Sequence, residues 1–297
     1  MRTYAAIDKI SEPEQLYRKW IIKPFTNKII TMEKLERGIP GSTDGLVNIY
    51  DDLVKYLEND CKFILDLTWH SNRMFNFLSN SIIADYLESI ISKLPKIFSP
   101  AFPDLFHKNY TISLKFLDNL EKSCRSYNDL QNIRNLQLYK DFLKKWNLSI
   151  YFPLRFQEIG NKLETSFVVT PQAPNTITSN EEFVIYSSKV LWETLYLCWE
   201  NGIYLASLAH RFLKLSLQLI MRYKHWIQSS LSESQSQEQW IQSLVNFNSN
   251  QWLLVVYDIH NLSIKITTTY TNHVCNKLNH LPLDVLTSIK GKSTLTV

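Results

Sequence analysis

The chain has 297 residues, of which 45% are hydrophobic and 13% aromatic, and this composition excludes disorder along the chain as a whole. Only 6 residues are glycine, which disfavours sheet proteins with tight turns and nucleotide-binding folds with glycine-rich phosphate loops. The 32 lysines and arginines exceed the 28 acidic residues by only four, a balance that is too mild for a nucleic-acid-binding protein.

The first clear helix is amphipathic and is predicted to run from residue 46 to residue 67. A cluster of chain-breaking residues at 38–45 precedes it, and Ser42, Thr43 or Asp44 is expected to cap its N-terminus. Its apolar positions recur at steps of three, four or seven and are Leu46, Ile49, Leu53, Leu57, Ile64 and Leu67.

Further helical segments are predicted before residue 168. They comprise a short apolar helix at 82–91 that ends before Pro95, a helix with an apolar stripe at 114–124, the segment 133–146, and a helix that Ser149 caps. Pro153 is expected in the first turn of the last of these helices, where proline is tolerated. The apolar side of that helix is predicted to consist of Phe152, Phe156, Ile159, Leu163 and Phe167.

The strongest helical pattern lies at 205–227. A proline-containing stretch at 168–182, interpreted as a loop or linker, and a shorter helix at 190–199 precede it. The low-complexity stretch 228–239 is expected to be a disordered loop. The apolar stripe of the strongest helix is Leu205, Leu208, Phe212, Leu215, Leu219, Tyr223 and Trp226.

The final segment, 240–297, is ambiguous between buried helix and strand. Residues 252–257 and 264–270 have the β-branched and aromatic composition of strands. The run 252–257, the longest apolar run, is too short to cross a membrane. We expect an all-α fold: a helical bundle at 1–167 that continues at 183–227, followed by a C-terminal segment, 240–297, that is also helical.

The sequence predicts no catalytic, cofactor-binding or metal-binding residue. His210 lies in the strongest helix without an evident acid–base partner, and no motif of a nucleophile or phosphate loop occurs. The cysteines are far apart, as in a protein from a reducing compartment. The potential ligands that crowd the C-terminal end lack the paired spacing of a zinc site: His260, His273, Cys275 and His280.

A basic stripe follows the strongest helix on the side opposite its apolar stripe. A solvated face is the favoured interpretation, and contact with anionic lipid or an acidic partner is the alternative. We define the basic stripe as Arg211, Lys214, Gln218, Arg222 and His225.

Several aromatic-rich strings, in consistent order along residues 1–227, resemble the family of subunit 2 of the conserved oligomeric Golgi complex. One further match, at 254–258 (LVVYD), extends the likeness toward the C-terminus. The strings are 20–25 (WIIKPF), 106–124 (FHKNYTISLKFLDNLEKSC), 144–164 (KKWNLSIYFPLRFQEIGNKLE), 191–192 (LW), 198–199 (CW) and 208–223 (LAHRFLKLSLQLIMRY).

The resemblance implies elongated helical bundles of the kind found in multisubunit tethering complexes, without catalysis or a cofactor. It implies a peripheral protein on the cytosolic face of the Golgi membrane that acts in intra-Golgi retrograde transport and Golgi organisation. The implied partners are other subunits of the complex, in particular subunits 3 and 4, and indirectly SNAREs and Rab GTPases, with no nucleic acid.

In that family a long N-terminal coiled-coil region precedes the matched segment, so this chain is expected to correspond to the middle and C-terminal portion. The alternative to a tethering subunit is a helical enzyme or a peripheral lipid-binding module. An enzyme would show a deep pocket with converging polar groups, whereas a lipid-binding module would bind anionic liposomes more weakly at high salt.

Overall fold

The computed structural model describes residues 4, 9–37, 41–71, 74–168, 182–232 and 249–279 of the chain. Within these ranges every regular element is a helix, which confirms the all-α fold class. The chain divides into two compact units, 1–147 (unit 1) and 148–297 (unit 2). The α-helices are α1 (Ser11–Tyr17), α2 (Lys23–Ile29), α3 (Met32–Leu35), α4 (Asp44–Asn59), α5 (Lys62–Ser71), α6 (Ala84–Lys93), α7 (Pro103–Lys122), α8 (Tyr127–Asn135), α9 (Gln137–Lys145), α10 (Leu148–Val168), α11 (Tyr186–Leu197), α12 (Ala209–Ser232), α13 (Ser249–Lys265) and α14 (Thr271–Asn279).

Shorter turns of other helix types connect some of these helices. A π-helical turn contains one residue more per hydrogen-bonded loop than an α-helix and often marks a functional position. The π turns are Arg18–Ile22 between α1 and α2, Leu78–Ile83 before α6, and Ile266–Tyr270 between α13 and α14, and the 3₁₀ turns are Pro95–Phe98 and Ala206–Leu208.

Helix α4 buries the apolar stripe that its spacing predicts. Leu46, Leu53 and Leu57 are each at most 1% exposed. Gly45, in its first turn, lies directly against α3, where an added Cβ would stand 2.3 Å from the carbonyl oxygen of Leu35. The close approach of α3 and α4 therefore requires glycine at this position.

The prediction of one continuous helix from 46 to 67 is wrong, because the chain turns between α4 and α5. The backbone N–H groups of Asp60 and Cys61 both donate to the carbonyl oxygen of Tyr56, which closes α4. Cys61 is fully buried at this turn, whereas Leu67 of α5 is 38% exposed. The apolar spacing continues across the turn, so periodicity alone does not reveal it.

Two other helix boundaries also differ from the prediction. The segment 133–146 is divided, since Leu136 adopts φ −53° and ψ 130° between α8 and α9. Pro153 lies inside α10 rather than in its first turn, because α10 begins at Leu148. Phe156 is 41% exposed, so the buried side of α10 is narrower than its aromatic content indicates.

An aromatic cluster forms much of the core of unit 1. The ring of Trp146, which follows α9, has its centroid 4.7 Å from that of Phe98 and 5.3 Å from that of Tyr110. Edge-to-face pairs of this kind add to the free energy gained by burial. The cluster joins α7 and α9 through rings of Phe106 and Phe142 as well.

The core of unit 2 is built around α12. All seven residues of its predicted stripe are at most 5% exposed. The predicted start of the helix at residue 205 is wrong, because Leu205 is extended (φ −122°, ψ 129°) and Ala206–Leu208 form a 3₁₀ turn before α12. The helix continues to Ser232, through the beginning of the predicted loop at 228–239. The indole N–H of Trp199, just after α11, donates to the hydroxyl oxygens of Tyr270 at 2.7 Å and Ser216 at 3.2 Å. This buried contact links α12 to the π turn before α14.

The strand-like composition of the C-terminal segment corresponds to helix in the described residues. Val255 and Leu262 of α13 are buried, whereas Leu253 and Val256 are exposed, so the helix packs on one side only. The predicted linker 168–182 and the rest of the loop 228–239 lie almost wholly outside the described residues, as do 280–297, and the corresponding boundaries stay predictions.

Candidate interaction surface

An apolar groove of about 350 Å³ lies between α12 and α13 in unit 2. Ile220 and Ile227 contribute to one wall, Ile259 and Ile266 contribute to the other, and Leu191 of α11 also lines it. Because few polar atoms point into the groove, water inside it is poorly bound and easily displaced by apolar groups. We call this feature the α12–α13 groove; its remaining lining residues are Tyr223, Lys224, Gln228, Leu262, Ser263 and Thr267.

Exposed apolar side chains extend the surface at the rim of the groove. Leu217 and Met221 of α12 are 57% and 60% exposed, and Val256 of α13 is 62% exposed. Leu217 and Met221 lie seven and three residues before Lys224, so the three share one ridge of the helix. An apolar groove with further exposed apolar residues near it on the same helices is typical of a protein–protein contact, whereas single exposed apolar residues are ordinary.

Buried hydrogen bonds hold the two walls of the groove in place. At its base the hydroxyl groups of Tyr223 and Ser188 are 2.7 Å apart, which fixes α12 against α11. On α13 the fully buried carboxylate of Asp258 accepts hydrogen bonds from the backbone N–H groups of Val184 at 2.9 Å and Ile185 at 2.8 Å. Asp258 therefore ties α13 to the start of α11.

Burial dominates the titration of the groups behind the groove. It raises the pKa of Asp258, although the two backbone N–H groups that it accepts from offset part of this effect. Burial likewise raises the pKa of Tyr223, which stays a neutral hydroxyl. These groups stabilise the packing of the helices.

The basic stripe of α12 is only partly free. The guanidinium of Arg222 forms two hydrogen bonds, of 2.6 and 2.7 Å, with the carboxylate of Glu164 on α10 and lies over the ring of Phe167. Arg211 lies over the ring of Phe152 on the same helix, 5.6 Å from its centroid. Two of the cations thus help to pack α12 on α10, while the other stripe residues, Lys214, Gln218 and His225, are exposed.

The other residues that the sequence singles out do not form a chemical centre in the described part of the chain. No group of three or more histidine, cysteine or acidic side chains there could hold a metal ion, and His280 lies outside it. His273 contacts the ring of Tyr196, and burial together with the charge of Lys277 lowers its pKa. Burial raises the pKa of the Cys198 thiol to about 12, which makes it a poor nucleophile.

A second concave region, of about 340 Å³, lies in unit 1 and is polar. Its lining includes Trp69 and Arg125, and Arg125 forms an ion pair with Asp66 at the surface. Asp129, which also lines the region, accepts a hydrogen bond of 3.1 Å from the backbone N–H of Ser126 and so helps to cap α8. The α12–α13 groove is the stronger candidate for a functional surface.

Comparison with known proteins connects this architecture to one family. The family model described as "COG complex component, COG2, C-terminal" matches residues 144–295. Conserved oligomeric Golgi complex subunit 2 of Arabidopsis thaliana is 32% identical over 303 aligned positions, which cover 98% of this chain and 40% of that protein. The subunit 2 of Homo sapiens is 32% identical over 236 positions, covering 76% of this chain and 31% of that protein. That of Drosophila melanogaster is 25% identical over 240 positions, 79% of this chain and 33% of that protein.

The chain thus spans only about a third to two fifths of the length of these relatives. No solved structure matches it. Among the described helices, none combines the length and the hydrophobicity that a membrane span requires.

Proposed function

Because the chain belongs to the family of conserved oligomeric Golgi complex subunit 2, we propose that it is a structural part of a vesicle-tethering complex and not an enzyme. Its direct partners in this proposal are other subunits of that complex, in particular subunits 3 and 4. SNAREs and Rab GTPases are reached through those subunits. The chain acts from the cytosolic face of the Golgi membrane, in retrograde transport within the Golgi and in Golgi organisation.

The observation that carries this proposal is the α12–α13 groove. Two helices with an apolar groove between them can accommodate a third helix. Binding of an amphipathic helix in such a groove is a recurring mode of recognition. We therefore assign the groove to an amphipathic helix of another subunit. Lys224, which lines the groove and is exposed, favours an acidic residue beside the apolar face of that helix.

The contacts are sufficient for a weak, specific interface. Fully burying one large aliphatic side chain contributes at most about 1.5–3 kcal/mol, and part of this is lost to the entropy of association. Leu217, Met221, Val256 and Ile259 are 57%, 60%, 62% and 41% exposed and would be covered together. Several interfaces of this strength within one assembly give a stable complex through avidity, while rigid helices set the distance between vesicle and target membrane.

The test is co-expression with subunits 3 and 4 followed by affinity purification. The variant Met221→Glu/Val256→Glu places charges at the rim, where both side chains are exposed and folding should be unaffected. We expect it to lose the partner subunits while its circular dichroism spectrum and melting temperature stay unchanged. The matched control is Leu253→Glu, since Leu253 is 71% exposed on the same helix but lies six residues before Ile259, the first residue of α13 that lines the groove, whereas Val256 lies three residues before it. Equal loss with the control, or retention of the partners by the double variant, would contradict the assignment.

A further inference from the structure

A second exposed surface lies in unit 1, on the helices α1 and α2 and the π turn between them. Residues 15–32 contain the cations Arg18, Lys19, Lys23 and Lys28 and no acidic residue. In the same segment Leu16 and Ile21 are each 47% exposed and Trp20 is 66% exposed. We call the outward side of this segment the Trp20 face; it consists of Leu16, Lys19, Trp20, Ile21, Lys23 and Lys28.

The cations of the Trp20 face are available for an external partner. Within the described part of the chain, Lys19, Lys23 and Lys28 form no ion pair, and the ammonium group of Lys19 lies 5.3 Å from the ring centroid of Trp20. Lys93 of α6 adds a fourth ammonium group, since it donates a hydrogen bond of 2.6 Å to the amide oxygen of Asn27. Burial lowers the pKa of Lys93, the charge of Asp85 offsets part of this effect, and the charge of Lys23 lowers the pKa further.

The acidic groups of α6 close to this segment are bound from the inner side by one cation of the segment itself. Arg18 points inward, with its Nε 3.3 Å from the carboxylate of Asp85 and its Nη2 2.8 Å from that of Glu88. Asp85 is fully buried and also accepts a hydrogen bond of 2.6 Å from the hydroxyl of Thr26. Arg18 offsets only one of these two negative charges, and the ammonium groups of Lys19, Lys23, Lys28 and Lys93 exceed the one that is left, so the net charge of this region is positive.

The inner side also makes the Trp20 face rigid. Ile22 is fully buried, and the carboxylate of Glu14 accepts hydrogen bonds from the backbone N–H of Asn76 at 2.6 Å and from the side chain of Asn80 at 2.8 Å. The exposed side chains are thus held on a fixed backbone, which lowers the entropy cost of binding.

From this arrangement we propose that the Trp20 face binds the surface of a lipid bilayer that contains anionic headgroups. Tryptophan and aliphatic side chains next to lysines are the composition of helices that lie in the interface of a membrane, where the rings enter the headgroup region and the ammonium groups meet the anionic lipids. Charge complementarity selects this partner, because the face has unpaired cations around its apolar residues. The proposal is independent of the α12–α13 groove, which belongs to unit 2.

The proposal is tested by flotation of the full chain with vesicles of phosphatidylcholine, with and without phosphatidylserine. We expect binding only to the vesicles that contain phosphatidylserine, with a decrease as salt is added. Each lysine near an anionic surface contributes about fivefold in affinity, so Lys19→Glu/Lys23→Glu/Lys28→Glu should weaken binding by at least about 100-fold. Trp20→Ser should weaken binding at every salt concentration, because it removes the insertion of the ring.

The control is Lys140→Glu/Lys144→Glu/Lys145→Glu, which reverses the same number of exposed lysines on α9 of the same unit. We expect this variant to float like the unchanged chain. Failure of the unchanged chain to bind vesicles, or equal weakening in both triple variants, would overturn the proposal. It would also be overturned if the Trp20-face variants lost partner subunits in the purification described above but kept their binding to vesicles, since the face would then bind protein.

Discussion

Replacing Asp258 should reveal how much of unit 2 depends on one buried carboxylate. The side chain of Asp258 is fully buried and accepts the backbone N–H groups of Val184 and Ile185 at 2.9 and 2.8 Å. In Asp258→Ala these two donors lose their acceptor, at a cost of about 1–3 kcal/mol for each group that stays buried. We expect a loss of about 2–5 kcal/mol in the free energy of unfolding, compared with the 5–15 kcal/mol of a typical domain.

The measurement is urea denaturation followed by circular dichroism. Asp258→Asn is the control, because an amide oxygen can still accept at least one of the two hydrogen bonds and the volume is preserved. We expect it to lie between the alanine variant and the unchanged chain. A loss below about 0.5 kcal/mol in Asp258→Ala, within the range of ordinary surface substitutions, would refute the reasoning.

Because of the same carboxyl group, we expect the stability of the chain to depend on pH. Burial raises the pKa of Asp258 in the folded chain above its value in the unfolded chain. The folded state therefore binds this proton more tightly, so the contribution to stability is complete below the unfolded pKa and is lost as pH rises through the folded pKa. In Asp258→Asn this pH-dependent contribution should disappear. The contribution of Asp258 is therefore the difference between the two proteins in how the free energy of unfolding changes between the unfolded and the folded pKa of Asp258.

Two further pairs of substitutions test the packing of the helices. Leu215→Asp places an unpaired carboxylate where the side chain is 1% exposed, so we expect unit 2 to lose its cooperative thermal transition. Its control, Lys214→Glu on the exposed side of α12, should melt like the unchanged chain. Equal melting of the two variants would contradict the assignment of faces. Gly45→Ala should lower the melting temperature of unit 1, because the new methyl group would stand 2.3 Å from the carbonyl oxygen of Leu35 and force α3 away. By contrast, Gly160→Ala should stabilise α10 slightly, because an added Cβ there meets nothing within 4 Å.

The elements that the sequence predicts well are those in which burial follows helical spacing without interruption. The stripe of α12 is the clearest example, since every position from Phe212 to Trp226 that the spacing selects is buried within one helix. The turn at Asp60 and Cys61 could not be predicted, because apolar residues continue at helical intervals beyond it. In α13 the β-branched residues favour a strand locally, but packing against α11 and α12 determines a helix, which local composition does not report.

The surfaces were harder to predict than the fold, for a physical reason. Whether Trp20 belongs to the core or to the exterior depends on which side of its helix the rest of unit 1 covers, and the π turn at Arg18–Ile22 shifts that side. The basic stripe, in contrast, is less exposed than its spacing predicts. Its spacing indicates a free cationic face, but Arg222 and Arg211 contact α10, a helix distant in the sequence. For Asp258 the sequence holds one weak indication of burial: it is an isolated acidic residue next to the longest apolar run of the chain.

The two proposed surfaces can be tested separately. Met221 and Val256, which carry the substitutions next to the groove, belong to unit 2, and the Trp20 face belongs to unit 1, so we expect the two sets of substitutions to have additive effects. A protein that only assembles with other subunits needs the groove alone, and its binding would depend on apolar burial and only weakly on salt. A protein that also touches the membrane adds a contact that salt weakens. Combining Met221→Glu/Val256→Glu with the triple lysine variant should therefore abolish both activities, whereas each set alone should abolish one, and any cross-effect would show that the two surfaces serve a single partner.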